Sequence, residues 1–314
     1  MATSESDGLL MTEEVVIQQC KKHHGYSTPE LNRNIYLNHL GLMNISSLNA
    51  FHQCRVLYLN NNAIDNLEGL HPLQNLHALY IGNNAIRNCK SFPMLPSLRL
   101  VDISSNFIES LEGLSSIPNL ETLLASRNRV RNLRGVEGNR KLMTIDVSKN
   151  AIEREEDIVP WILEMEGLRS CMFQGNRFVT SMQSYRKKII AWVPSLRFMD
   201  QCPVFPEERS CAEAYAQGGT RAEKAQRDEN RRQEEQERRR QFEFFGSQRQ
   251  EARESRTPRA QHAPIPPIMT ITICSVYMCQ TVWDVCKKLD TSVGSVAPCR
   301  TTAEKQPVAH ARAR

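Results

Sequence analysis

A chain of 314 residues with 40% apolar content holds enough hydrophobic side chains for one or two cored domains. Its formal charge of +5 is a small surplus among 40 basic and 35 acidic residues, too dilute for the basic density of a nucleic-acid-binding protein. The start, MATSESDGLLMTEEVV, is acidic where a secretory signal is basic and has no apolar core, so a cytosolic location is expected; the 10 cysteines form no CxxC pair and read as free thiols.

Residues 1–30 read as an N-terminal segment with a capping helix. In TEEVVIQQCKKHHG, Thr12 is placed to cap, Glu13 and Glu14 suit the first turn, basic residues the last, and Gly25 the exit. Val16 and Cys20 then share one face. His23 and His24 are adjacent, point apart, and read as helix-end cations rather than metal ligands.

From 31 to 200 the chain repeats itself. Rows of 22 align CRVLYLNNNAIDNLEGLHPLQN, LHALYIGNNAIRNCKSFPMLPS, LRLVDISSNFIESLEGLSSIPN and LETLLASRNRVRNLRGVEGNRK, each carrying LxxLxLxxNxI or a near equivalent. Asn62, Asn84, Asn106, Asn128 and Asn150 are 22 apart, and Asn176 follows after 26, which predicts a longer outer segment in the last repeat. NIYLNHLGLMNISSL is an atypical first repeat with Leu40 in the Asn place.

This is the leucine-rich repeat, and the predicted fold is an α/β solenoid with a parallel inner sheet and a helical or 3-10 outer side. In VLYLN the period of two sends Leu57 and Leu59 inward and Val56, Tyr58 and Asn60 onto the concave face. After the Asn, Ile64, Leu67, Leu70, Leu73 and Leu76 recur every three residues, the spacing of a 3-10 return. The asparagines are expected to turn inward and bond backbone groups that the bend leaves unpaired. Cys54, Cys89 and Cys171 occupy apolar slots and act as small hydrophobes.

The central outward positions of successive strands run Tyr36, Tyr58, Tyr80, Asp102, Leu124, Asp146 and Met172, a candidate partner-binding face whose tyrosines form a contiguous strip. Asp102 and Asp146, two strands and about 10 Å apart, are too distant to share a proton. No Ser/His/Asp or Cys/His set converges and no phosphate-cradling glycine loop follows a strand, so a binding scaffold is expected: no enzyme, no cofactor, no metal.

YRKKIIAWVPSLRFMD, Tyr185 to Asp200, has the look of a closing cap. Over 201–219, Pro203 and Pro206 lead the chain off the last repeat, SCAEAYA begins a short helix, and Gly218 and Gly219 end it. Val204, Phe205, Ala212, Ala214 and Tyr215 suit packing over the end of the stack. From 220 to 246 a helix of mixed charge, with almost no apolar stripe, reads as a projecting spacer or docking helix anchored by Phe242, Phe244 and Phe245. Its interleaved Glu nearly cancels the field an RNA would need. Residues 247–314 read as a mostly disordered tail; within it, IMTITICSVYMCQTVWDVC is too polar for a membrane span, and Cys274, Cys279 and Cys286 lack zinc spacing.

The entry segment MTEEVVIQQCKKHHGYSTPELN, the six or seven repeats, the cap, and above all PVFPEERSCAEAYAQGG before a charged helix resemble the dynein axonemal assembly factor 1 family, over roughly residues 11 to 240. In the post-cap segment the resemblance rests on Pro203, Phe205, Pro206, Cys211, Ala212, Glu213, Tyr215, Gly218 and Gly219. It implies a protein of the cytoplasm and of the cilium or flagellum that preassembles dynein arms. The partners implied are axonemal dynein subunits or chaperone and co-assembly factors, with no nucleic acid, no membrane and a monomeric chain. The tail carries nothing of the family. Two other classes share the repeat: a regulatory adaptor of a phosphatase, which would hold a phosphatase catalytic subunit, and a ribonucleoprotein scaffold, which would bind RNA with steep salt dependence.

Overall fold

Every 22 residues the chain spends three in an extended conformation and then turns, because the residue after each strand's end still faces inward and the backbone two steps further on is left-handed. The computed structural model describes residues 10–254. The chain divides into two units, Met1–Ser247 and Gln248–Arg314, and of the second only residues 248–254 are described, as helix. The apolar segment 268–286 and its cysteines lie outside the described residues.

Seven strands follow one another in parallel: β1 (Asn34–Tyr36), β2 (Val56–Tyr58), β3 (Ala78–Tyr80), β4 (Leu100–Asp102), β5 (Thr122–Leu124), β6 (Thr144–Asp146) and β7 (Ser170–Met172). Their register follows the repeat, so Leu57 lies beside Leu79 and Leu79 beside Val101; the 26-residue step then sets Ile145 beside Cys171. β8 (Phe198–Met199) continues in parallel, and β9 (Cys202–Pro203) closes the nine-stranded sheet in antiparallel sense. The turn between β8 and β9 has Asp200 and Gln201 both at positive φ, the geometry of a two-residue hairpin that matches strand twist.

Each strand ends at the same place for the same reason. His39, Asn61, Asn83, Ser105, Arg127 and Lys149 all have φ between 54° and 61°, and Gly175 has 77°. That left-handed step turns the backbone out of the sheet, at a steric cost which residues other than glycine bear only where neighbouring bonds hold them. The inward positions, such as Ile35 and Leu37 or Leu123 and Ala125, are fully buried and stack into one continuous core.

On the outer side, short 3-10 turns at Asn49–Phe51, Glu68–Leu70 and Leu114–Ser116 carry every-third apolar residues inward. Successive turns nest tightly: a Cβ on Gly113, whose φ is 108°, would stand 2.0 Å from the Cys89 carbonyl oxygen. The longer last repeat places its surplus on this side as α2 (Val159–Glu164), with Ile158 and Ile162 buried beneath it.

The front is closed by α1 (Glu13–Lys22), whose Thr12 hydroxyl accepts from the Val15 amide at 3.4 Å and whose Val16 and Cys20 are buried. Its exit differs from the expectation. The left-handed residue is His24 (φ 61°), and Gly25 donates its amide to the Cys20 carbonyl at 2.7 Å, a Schellman closure. Gly25 is a glycine for lack of space, since a Cβ there would meet Asn32 Oδ1 at 2.6 Å.

The back is closed by α3 (Arg177–Ser181), α4 (Tyr185–Trp192) and α5 (Pro206–Glu254). Here the structure departs from the sequence-based expectations in four places. The helix after the cap starts at Pro206, not within SCAEAYA, because proline suits a first helical position and Glu207 and Glu208 follow it. The charged helix does not project from its start: α5 breaks at Gly218 and Gly219, the second with φ 64° and ψ −155°, a conformation open essentially to glycine alone. The chain doubles back there, so that Asn230 Nδ2 donates to the Glu207 carbonyl (3.1 Å) and the Ser210 hydroxyl (2.8 Å). Finally, Phe205 is 59% exposed, and Phe242, Phe244 and Phe245 are exposed as well, so none of them anchors anything. The helix also runs past residue 246 to Glu254.

A concave face and its sealed end

Because side chains alternate along a strand, residues on the inner sheet are aligned across strands at the repeat register. Tyr36, Tyr58 and Tyr80 stand half-buried in one row, with ring centroids 4.7 and 4.8 Å apart and planes within 6° and 4° of parallel. His23, from the end of α1, extends the row at 4.9 Å from Tyr36. The sequence marks this histidine only as a helix-end cation; its place in the row depends on how α1 docks. Burial pushes the Tyr58 and Tyr80 hydroxyls up from their ordinary value, helped by the neighbouring tyrosines at Tyr58 and by the Asp102 carboxylate at Tyr80. These hydroxyls therefore stay protonated.

Beyond the tyrosines the row continues with Asp102, Leu124, Asp146 and Met172, all half-buried on the same face. Asp102 accepts from the Ser104 amide at 3.0 Å and Asp146 from the Ser148 amide at 2.9 Å, so each carboxylate closes its own strand end. Leu124 lies between them, and no partner brings them together. Among the described residues no group of three or more His, Cys, Asp or Glu stands close enough to hold a metal ion, and no helix is long and apolar enough to cross a membrane.

The asparagines form a second row, turned into the molecule. Asn84 accepts from the Ile64 amide (3.1 Å) and donates to the carbonyls of Leu59 and Ile81 (both 3.0 Å), tying one repeat to the one before it. Asn106, Asn128, Asn150 and Asn176 repeat this pattern, and Asn62 bonds the amides of both Leu40 and Leu42. Where Asn62 and Asn150 are half-buried, the others are buried.

At the far end the cap and the post-cap segment are locked by charge. Tyr185 donates its hydroxyl to Asp200 Oδ2 at 3.0 Å, while Oδ1 accepts from the Phe173 amide at 2.8 Å, fixing α4 against the last strands. Burial pushes the Tyr185 hydroxyl far up, and the Asp200 carboxylate adds to it. Arg186 reaches Glu208 through both Nε (2.6 Å) and Nη2 (2.8 Å) and the Met199 and Pro203 carbonyls besides. Arg209 donates to the carbonyls of Ile190, Val193 and Leu196, acceptors in the last turn of α4 and just beyond it. Lys187 lies 5.2 Å above the Tyr215 ring and bonds Glu223 at 2.7 Å, which holds that carboxyl below the usual range.

Of the remaining junction residues, Pro203 sits in β9 and Pro206 opens α5; Ala212 is buried against the core, Cys211 is half-buried 3.6 Å from Asn230 Nδ2, and Glu213 is exposed. The sequence marks Pro203, Phe205, Pro206, Cys211, Ala212, Glu213, Tyr215, Gly218 and Gly219 in this segment but not Arg186, Arg209, Lys187 or Glu223, because nothing in a charged stretch distinguishes the two arginines that face inward.

The leucine-rich repeat family matches residues 94–228, from the fourth strand's repeat through the junction. Similar proteins include the leucine-rich repeat-containing protein ODA7 of Chlamydomonas reinhardtii, 33% identical over 88 residues (28% of this chain and 20% of that one). Dynein axonemal assembly factor 1 of Homo sapiens is 30% identical over 105 residues (33% of this chain and 14% of that one). Its Anopheles gambiae homologue is 39% identical over 83 residues, 26% of this chain and 9% of that one. The matched stretches thus span between 9% and 20% of these relatives' own length. An internalin of Listeria monocytogenes shares the fold with a TM-score of 0.51 at 16% identity, covering 63% of this chain and 59% of that one. The chain folds as a leucine-rich-repeat solenoid and is similar in sequence to dynein axonemal assembly factor 1 and its homologues.

Proposed function

We propose that this protein is a non-enzymatic scaffold for the preassembly of axonemal dynein arms, needed to build motile cilia or flagella and acting in the cytoplasm and the cilium. Axonemal dynein subunits, or the chaperones and co-assembly factors that handle them, dock on the concave face at Tyr36, Tyr58, Tyr80, Asp102, Leu124, Asp146 and Met172, with the post-cap segment as a second contact. One observation carries the docking half of this reading: seven parallel strands present an open, ordered row of side chains with large aromatic area and no enclosed chemistry. The dynein half rests on the relatives.

Deleting the gene in a flagellated cell is expected to leave immotile flagella poor in dynein arms in electron-microscope cross-sections. Normal arms would overturn the reading. Recovery of a phosphatase catalytic subunit in place of dynein heavy chains, on purification of the tagged protein, would support the adaptor class instead.

A further inference from the structure

The concave face is not uniform, and its two halves differ in what they can recognise. In the tyrosine row the ring faces are turned to one another at 4.7 and 4.8 Å, so what reaches solvent is ring edge and hydroxyl. Ring edges carry the positive end of the aromatic quadrupole, and the hydroxyls, protonated as argued above, are donors. No hydrogen bond occupies those hydroxyls among the described residues.

Beside the row, the residue that precedes each of β1 to β4 is basic: Arg33, Arg55, His77 and Arg99 follow one another, the amides of the last three each donating to the carbonyl of the one before. Arg99 is paired with Glu121 at 3.5 Å, whereas the exposed guanidinium groups of Arg33 and Arg55 meet no carboxylate among the described residues. Arg33 and Tyr36 also line a depression of about 710 Å³ at the entry end of the face, together with His23, His24 and Glu30. Donors and cations dominate this half. Carboxylates enter the row only at Asp102 and again at Asp146.

We propose that the half of the concave face formed by β1 to β3 docks an extended, acidic segment of the protein partner, laid across Tyr36, Tyr58 and Tyr80 and held by Arg33 and Arg55. This rests on the scaffold reading and deepens it by naming the chemistry of the bound segment. Three rungs span about 10 Å, the reach of about three extended residues. Asp102 repels an acidic chain and so sets where the dock ends. A basic segment is disfavoured by ring edges and guanidinium groups alike. Single-stranded RNA, also an anion, gains from open aromatic faces, and here every face but the one Tyr80 turns toward Asp102 is occupied by a neighbouring ring.

The test is fluorescence anisotropy on the full chain, with labelled peptides of about 12 residues alternating Glu and Gly or Lys and Gly, and a uridine oligonucleotide of similar length. The Glu peptide is expected to bind, more weakly as salt rises. The double variant Arg33→Glu/Arg55→Glu should weaken it about tenfold, Tyr58→Phe by about threefold with the stack kept, and Asp102→Asn should tighten it. Equal or tighter binding of the Lys peptide or the oligonucleotide would overturn the proposal. So would an arginine double variant, folded by circular dichroism, that binds the Glu peptide as well as the parent does. If that variant also co-purifies dynein heavy chains normally, the acidic dock falls while the scaffold stands. If the parent chain captures no dynein subunit, the scaffold itself falls, whatever the peptides do.

Discussion

An asparagine amide at the strand end does what no apolar residue of its size can: it accepts one bond and donates two where the backbone turns away from its own ladder. In Asn84 all four partners are backbone groups of two repeats, so Asn84→Ala strands the Ile64 amide and the Leu59 and Ile81 carbonyls in a dry interior. The expected loss is about 1–3 kcal/mol in urea unfolding, with the curve still cooperative; a variant as stable as the parent would show that water or a shifted backbone replaces the amide. The 22-residue recurrence of these asparagines made their role legible, because only a structural position repeats with that regularity. Burial of Cys89 was legible in the same way, and burial now pushes its thiol up to about 12, which makes it a core side chain rather than a nucleophile. The exit of α1 was not legible to the residue. Gly25 looks like the left-handed position, yet His24 takes it, since the choice turns on where Asn32 folds back.

Elements divide into those fixed by their own periodicity and those fixed by what they lie against. The strands belong to the first kind: three residues, alternating, closed by the left-handed step. The two arms of α5 belong to the second. Helix formers run from Pro206 to Glu254 with mixed charge and no sustained apolar stripe, so the sequence marks a break at Gly218 and Gly219 without telling that the chain reverses there. Reversal is decided by single polar contacts, chiefly Asn230 on Glu207 and Ser210 and Glu223 on Lys187. Gly219→Ala is therefore expected to cost about 1–3 kcal/mol, the strain of a side chain at that φ and ψ. Because it acts on the turn, the loss should appear locally: hydrogen exchange at the amides of 221–230 speeds up while the strands β1 to β6 keep their protection. Uniform acceleration across the sheet, or none in the second arm, would contradict a hairpin held at its turn.

For the whole molecule, a solenoid of stacked repeats is as stable as its ends allow, since each repeat touches only its neighbours and unfolding starts where a neighbour is missing. The front end needs one helix. The back end needs α4 and, over it, the first arm of α5, where Arg209 satisfies the last carbonyls of α4, Glu208 pairs Arg186, and Ala212 covers core. This explains why the junction is so specific in sequence: its residues are spelled by the cap they complete. From residue 231 to 251 the side chains are exposed and add nothing to the seal. Two truncations separate these contributions. Ending the chain after Asp200 should cost on the order of 3 kcal/mol, by taking the Arg209 donors from three carbonyls and the Glu208 carboxylate from Arg186, and should let the last repeats fray first. Ending it after Gln241 keeps both hairpin arms and should leave the urea midpoint within about 0.5 kcal/mol of the parent. Equal stability of the two truncated chains would mean that α4 alone closes the stack and that residues 201–230 are placed there for a partner.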